Sequence, residues 1–306
     1  KTEGAVMKNY KLIDADCHTL EPPHIWTSYL AAEFHERAPQ LVKDPDGGDA
    51  WQFQPDQPIM CIGLVTTPGR KYEDIKWTGS TYDSIRASCF DGKARLEDMD
   101  YDGIDAEFLY PSQRTMYYFM GNEDRDFHLA GVRAYNNWLS EEFCANDPER
   151  LFGLAQIPNL GVKAAIAEME RAMTTMGFKG VMINDHVNDV TFDDPRFYPF
   201  WEAAQDLGAF ILIHQTRPTV VAHRLNKYHL ANSIGNLTDR AITFATFVFG
   251  GVMDKYPDLK VCLCHGGGYT CYGIGRMDRG WEVRPEARVN IQKPPSEYLR
   301  SFYYDC

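Results

Sequence analysis

The sequence predicts an α/β fold built on a parallel sheet, and three observations carry that reading. Short β-branched or apolar runs alternate with longer helical patterns along 306 residues, which is the rhythm of βαβ units. Several of the short runs are almost uninterruptedly apolar, as strands covered on both faces of a parallel sheet should be. Polar residues gather where those runs end, at the carboxyl edge on which parallel α/β folds build their sites.

The first strand is read at YKLIDADCH (10–18), the second at GIDAEFLYP (103–111) and the third at LFGLAQIP (151–158). FKGVMIND (178–185), AFILIHQT (209–216), LKVCLCHGGG (259–268) and SFYYDC (301–306) complete a set of seven. Helices are expected over about 125–147, 162–177, 196–207, 238–256 and 269–281. The helix after the fourth strand carries clear boundary signals: an acidic opening at FDDPRF, a periodic apolar stretch and a terminal Gly208. Residues 38–90 break the rhythm. Rich in Asp, Gly, Pro and Gln, they read as a long insertion of the kind that often serves as a lid. Residues 1–306 are otherwise expected to form a single domain. Seven strands suit a (β/α)8 TIM-type barrel with strand eight missing from this chain, or a doubly wound open sheet. No G-x-G-x-x-G follows the first strand, which counts against the open dinucleotide-binding sheet.

Composition narrows the function classes. Lys and Arg total 31 against 43 Asp and Glu, a net charge of −12, and no basic cluster offers the phosphate neutralisation that nucleic-acid binding needs. A hydrophobic content of 44%, with 13% aromatic, is enough for a large core. No run approaches the roughly 18–20 apolar residues of a membrane span, and KTEGAVMKNY is not a signal peptide. A cytoplasmic protein without a membrane partner is expected. The eight cysteines are scattered, so they read as buried thiols rather than a disulfide framework.

The chemistry concentrates at strand ends. Asp16 and His18 close the first strand, Asp185 and His186 follow the fourth, His214 ends the fifth, His265 the sixth and Asp305 the seventh. Successive strand side chains face opposite ways, so Asp16 and His18 share a face, and a carboxylate beside an imidazole can hold a divalent cation. His214 follows four apolar residues, where a buried imidazole needs a partner. The same alternation, applied from His265, turns Cys262 and Cys264 outward, away from any metal. His265 precedes three glycines that permit close backbone approach. His24, His35, His128, His223 and His229 are expected at the surface.

Taken together, IDADCHTLEPPHIW, LEDMDYDGIDAEFLYPS, DDPRFYPFWEAAQDLGAFILIH, MDKYPDLKVCLCHGGG, GIGRMDRGW and SFYYDC resemble the amidohydrolase superfamily. The likeness is to its decarboxylase branch, typified by aminocarboxymuconate semialdehyde decarboxylase, and it selects the barrel over the open sheet. The resemblance implies that Asp16, His18 and His214 are metal ligands. It implies that His265 is a catalytic acid/base, and that Arg276, after HGGG, binds a substrate carboxylate, in some relatives within the neighbouring subunit's site. Arg217 is added from its place just past His214. Many relatives carry His or Glu where Asp16 stands, which leaves the metal between zinc, the favoured ion, and manganese. The family's last metal aspartate, at the end of strand eight, has no counterpart here. Asp305 matches a different, seventh-strand position. A truncated chain or a partner that completes the barrel would account for this.

The function expected from these residues is metal-dependent, cofactor-free decarboxylation of a small carboxylated aromatic or dienoic acid, an anionic substrate suited to the planar guanidinium of Arg276. Hydrolysis of an amide, lactone or carbon–carbon bond by metal-activated water is the alternative. A barrel that has lost its metal and its catalysis is the reading from a different class. A homodimer is expected.

Overall fold

The structure, a computed structural model, describes residues 9–111, 118–214 and 220–305. All seven expected strands form. They are β1 (Ile13–His18), β5 (Ala106–Tyr110), β6 (Leu151–Gln156), β7 (Gly180–Ile183), β8 (Phe210–Ile213), β9 (Lys260–Leu263) and β10 (Phe302–Tyr304). They pair in chain order and every pair is parallel. Among the described residues no strand joins β10 back to β1, so the barrel has one open seam.

Curling of the sheet follows from side-chain distances. Strands about 4.8 Å apart would hold β5 and β8 some 14 Å from each other in a flat sheet, yet the rings of Phe108 and Phe210 stack with centroids 4.6 Å apart. Strand alternation sorts the apolar residues into two layers. Tyr110, Leu154, Met182, Leu212, Cys262 and Cys264 fill the interior. Val181, Ile183, Ile211, Ile213, Val261 and Leu263 face the other way, in one core with helix residues such as Met169, Trp201, Phe244 and Phe247. Burial of both faces explains why these strands read as continuous apolar runs.

This layering corrects the expectation for Cys262 and Cys264, which point into the barrel. Strand parity does not extend to His265, because β9 ends at Leu263 and His265 sits at φ +58° in a left-handed turn.

The longer helices are α1 (Gly92–Asp102), α2 (Arg125–Trp138), α3 (Val162–Thr175), α4 (Tyr198–Leu207), α5 (Leu237–Phe249) and α6 (Thr270–Val283); a short helix spans Ile25–Tyr29. Helix α1 is absent from the sequence reading because its surface is charged and it buries only Gly92 and Met99. Its signals are the caps: the Asp91 carboxylate accepts from the Ala94 amide, and Gly103 ends it at φ +75°. The expected helix over 238–256 is broken after Phe249, where Gly251 adopts φ +75° before a short turn at Val252–Lys255. His128 is also corrected: on α2 it is buried and accepts a hydrogen bond from the Asn159 amide.

Residues 38–90 are ordered around a three-stranded antiparallel sheet of β2 (Gln40–Lys43), β3 (Asp49–Gln52) and β4 (Met60–Cys61). Trp51, Phe53 and Ile62 join the barrel's outer core. Tyr82 ties this unit to the segment after β1 by donating to the Glu21 carbonyl at 2.5 Å. Among the described residues no helix is long and apolar enough to cross a membrane.

Candidate active site

Strand β1 delivers Asp16 and His18 to the interior through a bulge. Its register against β5 slips between Asp14 and Cys17. The slip leaves Asp14 and Cys17 grouped with Glu107 on one side, while Asp16 receives a hydrogen bond from the interior Tyr110 hydroxyl on the other. His18, two residues on, shares the face of Asp16. His214 continues the inward series of Phe210 and Leu212 just past the end of β8, its amide still bonded to the Ile183 carbonyl at 3.0 Å.

Of the seven residues singled out at strand ends, Asp16, His18, His214 and His265 converge. His18 Nε2 lies 3.9 Å from Asp16 Oδ1, and His265 Nε2 lies 3.9 Å from Asp16 Oδ2. Ring centroids are 4.8 Å apart for His18 and His214 and 5.2 Å for His214 and His265. Since β1 and β9 are five strands apart in the sheet order, a flat sheet would separate them by about 24 Å; curling brings them together. Asp16, His18 and His214 each offer a ligand atom, and these lie within 4.8 Å of one another. Ligand bonds of about 2.0–2.2 Å place two donors on one ion up to about 4.4 Å apart, so the set is close to the size a cation requires. A carboxylate and two imidazoles also form a donor set suited to zinc or manganese.

The electrostatics agree with that role. Burial lowers the pKa of His18 below its ordinary value against the opposing pull of Asp16, which favours the neutral imidazole that binds metals. Burial likewise lowers His265, again opposed by Asp16. His265 Nδ1 is buried with no hydrogen-bond partner among the described residues. The turn that carries His265 is left-handed through Gly266, Gly267 and Gly268. At Gly267 a Cβ would stand 2.6 Å from the Tyr304 ring, so glycine is needed for close approach as well as for φ. The Gly266 amide donates to Asp305 Oδ1 at 2.8 Å. Burial raises the Asp305 pKa, and this residue braces the turn.

Arg276 lies on α6 and is exposed. Arg217 lies outside the described residues. Asp185 and His186 separate: Asp185 is buried in an ion pair with Arg240, while the side chain of His186 lines an open cavity of about 820 Å³ at the ends of β6 and β7. Met182, Asn159 and Phe197 line it too, but none of the four converging residues does. Tyr110 escaped the sequence reading although it also ends a strand; its phenol meets Asp16 and its ring lies 4.4 Å from that of His18. Burial raises its pKa, with Cys264 and Asp16 adding to the effect.

A sequence model described as amidohydrolase matches residues 13–291. The 2-amino-3-carboxymuconate-6-semialdehyde decarboxylase of Dictyostelium discoideum is 28% identical over 228 residues, covering 74% of this chain and 62% of that protein. A gamma-resorcylate decarboxylase of a Polaromonas species is 29% identical over 183 residues, covering 56% of each. The chain thus spans about three fifths of the length of these curated relatives. A solved Polaromonas dihydroxybenzoic acid decarboxylase, with bound manganese and the inhibitor 2-nitroresorcinol, superposes with a TM-score of 0.66 at 19% identity, covering 97% of this chain and 78% of that one.

Proposed function

The chain belongs to the amidohydrolase family over residues 13–291, and from that premise we propose that it takes part in metal-dependent decarboxylation of a small carboxylated aromatic or dienoic acid. The observation that carries the reading is the convergence of Asp16, His18 and His214 within 4.8 Å, with His265 Nε2 3.9 Å from Asp16. Similarity to decarboxylases of an aromatic acid and of a carboxymuconate semialdehyde supports the choice of reaction and substrate class.

In this reading Asp16, His18 and His214 hold the cation, zinc in preference to manganese. When bound, the cation supplies positive charge that orients a substrate carboxylate or neighbouring oxygen and polarises the adjacent group. His265 manages the proton. The bond between ring or diene carbon and carboxylate breaks, carbon dioxide leaves, and a proton from the imidazole takes its place on carbon. Burial disfavours the charged form of His265 against the pull of Asp16, so the imidazolium formed when it takes up a proton gives that proton readily to carbon and returns to the neutral ring. Tyr110 fixes the Asp16 carboxylate. Arg276, exposed on α6, serves a substrate carboxylate in the site of a second copy, and the protein acts as a homodimer; Arg217, three positions after His214 in the sequence, is the second candidate for binding substrate.

The test is release of carbon dioxide from a panel of hydroxybenzoic and muconic acids by protein loaded with zinc or manganese. Decarboxylation requires stoichiometric carbon dioxide, and its loss in His265→Asn with metal content retained. Product that keeps its carboxylate identifies hydrolysis instead. Mixed Arg276→Ala and His265→Ala chains should regain activity through hybrid sites; no recovery after full exchange rules out the shared site.

A further inference from the structure

We propose that two arginines, the buried Arg240 and the partly buried Arg95, are positioning residues that clamp the strand ends bearing His214 and His18. The inference rests on the metal-centre reading for its consequence but not for its geometry.

Arg240, on α5, has no exposed surface. Its Nη1 donates to the Ile213 carbonyl, the residue before His214, and its Nη2 donates to the Asp185 carboxylate. Thr243, one turn along the same helix, donates to the other Asp185 oxygen at 2.8 Å. The Ile213 carbonyl also accepts from the Cys264 amide at 3.3 Å, so that single oxygen ties β8 to α5 and to the end of β9. Gly268 closes over the arginine, leaving only 2.8 Å between the Arg240 Cβ and the place a Cβ on that glycine would occupy. One side chain therefore touches the segment after β7, the end of β8 and the turn that carries His265.

Arg95, on α1, repeats the arrangement at β1. Its Nη2 donates to the His18 carbonyl at 2.9 Å and its Nε to the Ser88 carbonyl at 2.8 Å. Its Nη1 stands 3.4 Å from Glu107 on β5, the strand beside β1. Glu107 is 3% exposed and Asp185 6%. In both cases a guanidinium fork anchored on a buried carboxylate from the adjacent strand region holds a main-chain carbonyl at, or next to, a candidate ligand. Planar, rigid donors suit that task in a way a lysine ammonium does not. A buried ion pair is poor support for stability alone, because apolar replacements are often neutral. The bonds to strand-end carbonyls are what an apolar pair would lose. Holding ligands in register is the work by which outer partners raise metal affinity.

The test uses the charge-free pairs Arg240→Met with Asp185→Leu, and Arg95→Met with Glu107→Leu, in the full chain, beside Arg240→Lys and Thr243→Val. Two readouts are taken: amide hydrogen exchange of the metal-free protein, and zinc and manganese affinity by chelator competition. The first pair should exchange at least about tenfold faster at 212–214 and 264–268, the second at 16–18, with metal Kd weakened about 10- to 100-fold and the far-UV spectrum retained. Arg240→Lys should fall between wild type and the pair. Wild-type exchange and affinity in folded pair variants would overturn the proposal. If a pair variant does not fold, Thr243→Val decides, since it loosens Asp185 without stranding a charge: unchanged exchange at 212–214 counts against the clamp. Faster exchange in variants of a chain that takes up neither metal would sustain the clamp and refute the metal centre.

Discussion

Replacing Gly268 by alanine should damage the fold at the turn that presents His265. Gly268 has φ +61° and ψ −131°, a backbone conformation that side chains avoid and that costs about 1–3 kcal/mol for a residue other than glycine. The added Cβ would stand 2.1 Å from the Leu237 carbonyl oxygen and 2.8 Å from the Arg240 Cβ. Both neighbours belong to α5, and the carbonyl is main chain, so neither can swing aside; overpacking of this kind adds about 1–3 kcal/mol. The expected loss is therefore about 4 kcal/mol, the middle of the combined range. Gly273 is the internal control. It lies inside α6 with nothing within 4 Å of its Cβ position, so Gly273→Ala should stabilise by about 0.5–1 kcal/mol through helix propensity. Urea unfolding at pH 7.5, followed by circular dichroism, reads both. Gly268→Ala within about 1 kcal/mol of wild type would refute the close packing of this turn on α5.

Three further outcomes are expected. Burial pushes the His128 pKa down to about 4, so the unfolded chain binds more protons between that value and about 6.5. The associated stability is complete above about pH 6.5 and is lost as pH falls toward 4, by about 3 kcal/mol in all; in urea unfolding at pH 7.5, 5.5 and 4.5, His128→Gln should lack that component, and equal pH dependence in both proteins would contradict it. Tyr110→Phe removes the hydroxyl that donates to Asp16 and should weaken metal binding by about tenfold while stability changes by about 1 kcal/mol; unchanged affinity in chelator competition would remove Tyr110 from the site. Trp201 is fully buried between α4 and the sheet, and Trp201→Ala should lose about 3–5 kcal/mol in urea unfolding, a loss under about 1 kcal/mol being incompatible with that packing.

Much of this architecture is legible in the residues because burial on both faces writes itself as apolar runs. The stretches Gly180–Ile183 and Phe210–Ile213 mark β7 and β8 without ambiguity. Alternation along β1 and β8 also places Asp16, His18 and His214 inside, although the bulge at Asp14 to Cys17 lies just beyond what periodicity can resolve. The failures have physical causes. Cys262 and Cys264 face opposite to the expectation because a left-handed residue interrupts the alternation at His265. Helix α1 has no apolar stripe to detect, and His128 gains its burial from packing of α2 that no local pattern encodes. Arg240 and Asp185 are separated by 55 residues, so their pairing is a product of tertiary packing. Tyr110 was within reach: it ends an apolar strand on the inward face, the criterion that found the histidines.

Metal stoichiometry tests the central claim most directly. After equilibration with zinc or manganese and removal of excess ion, elemental analysis should find close to one equivalent per wild-type chain, and below about a tenth of an equivalent in folded Asp16→Ala, His18→Ala and His214→Ala. A wild-type chain that retains less than about a tenth, or ligand variants that retain as much metal as wild type, would contradict the assignment of these three residues as the metal centre.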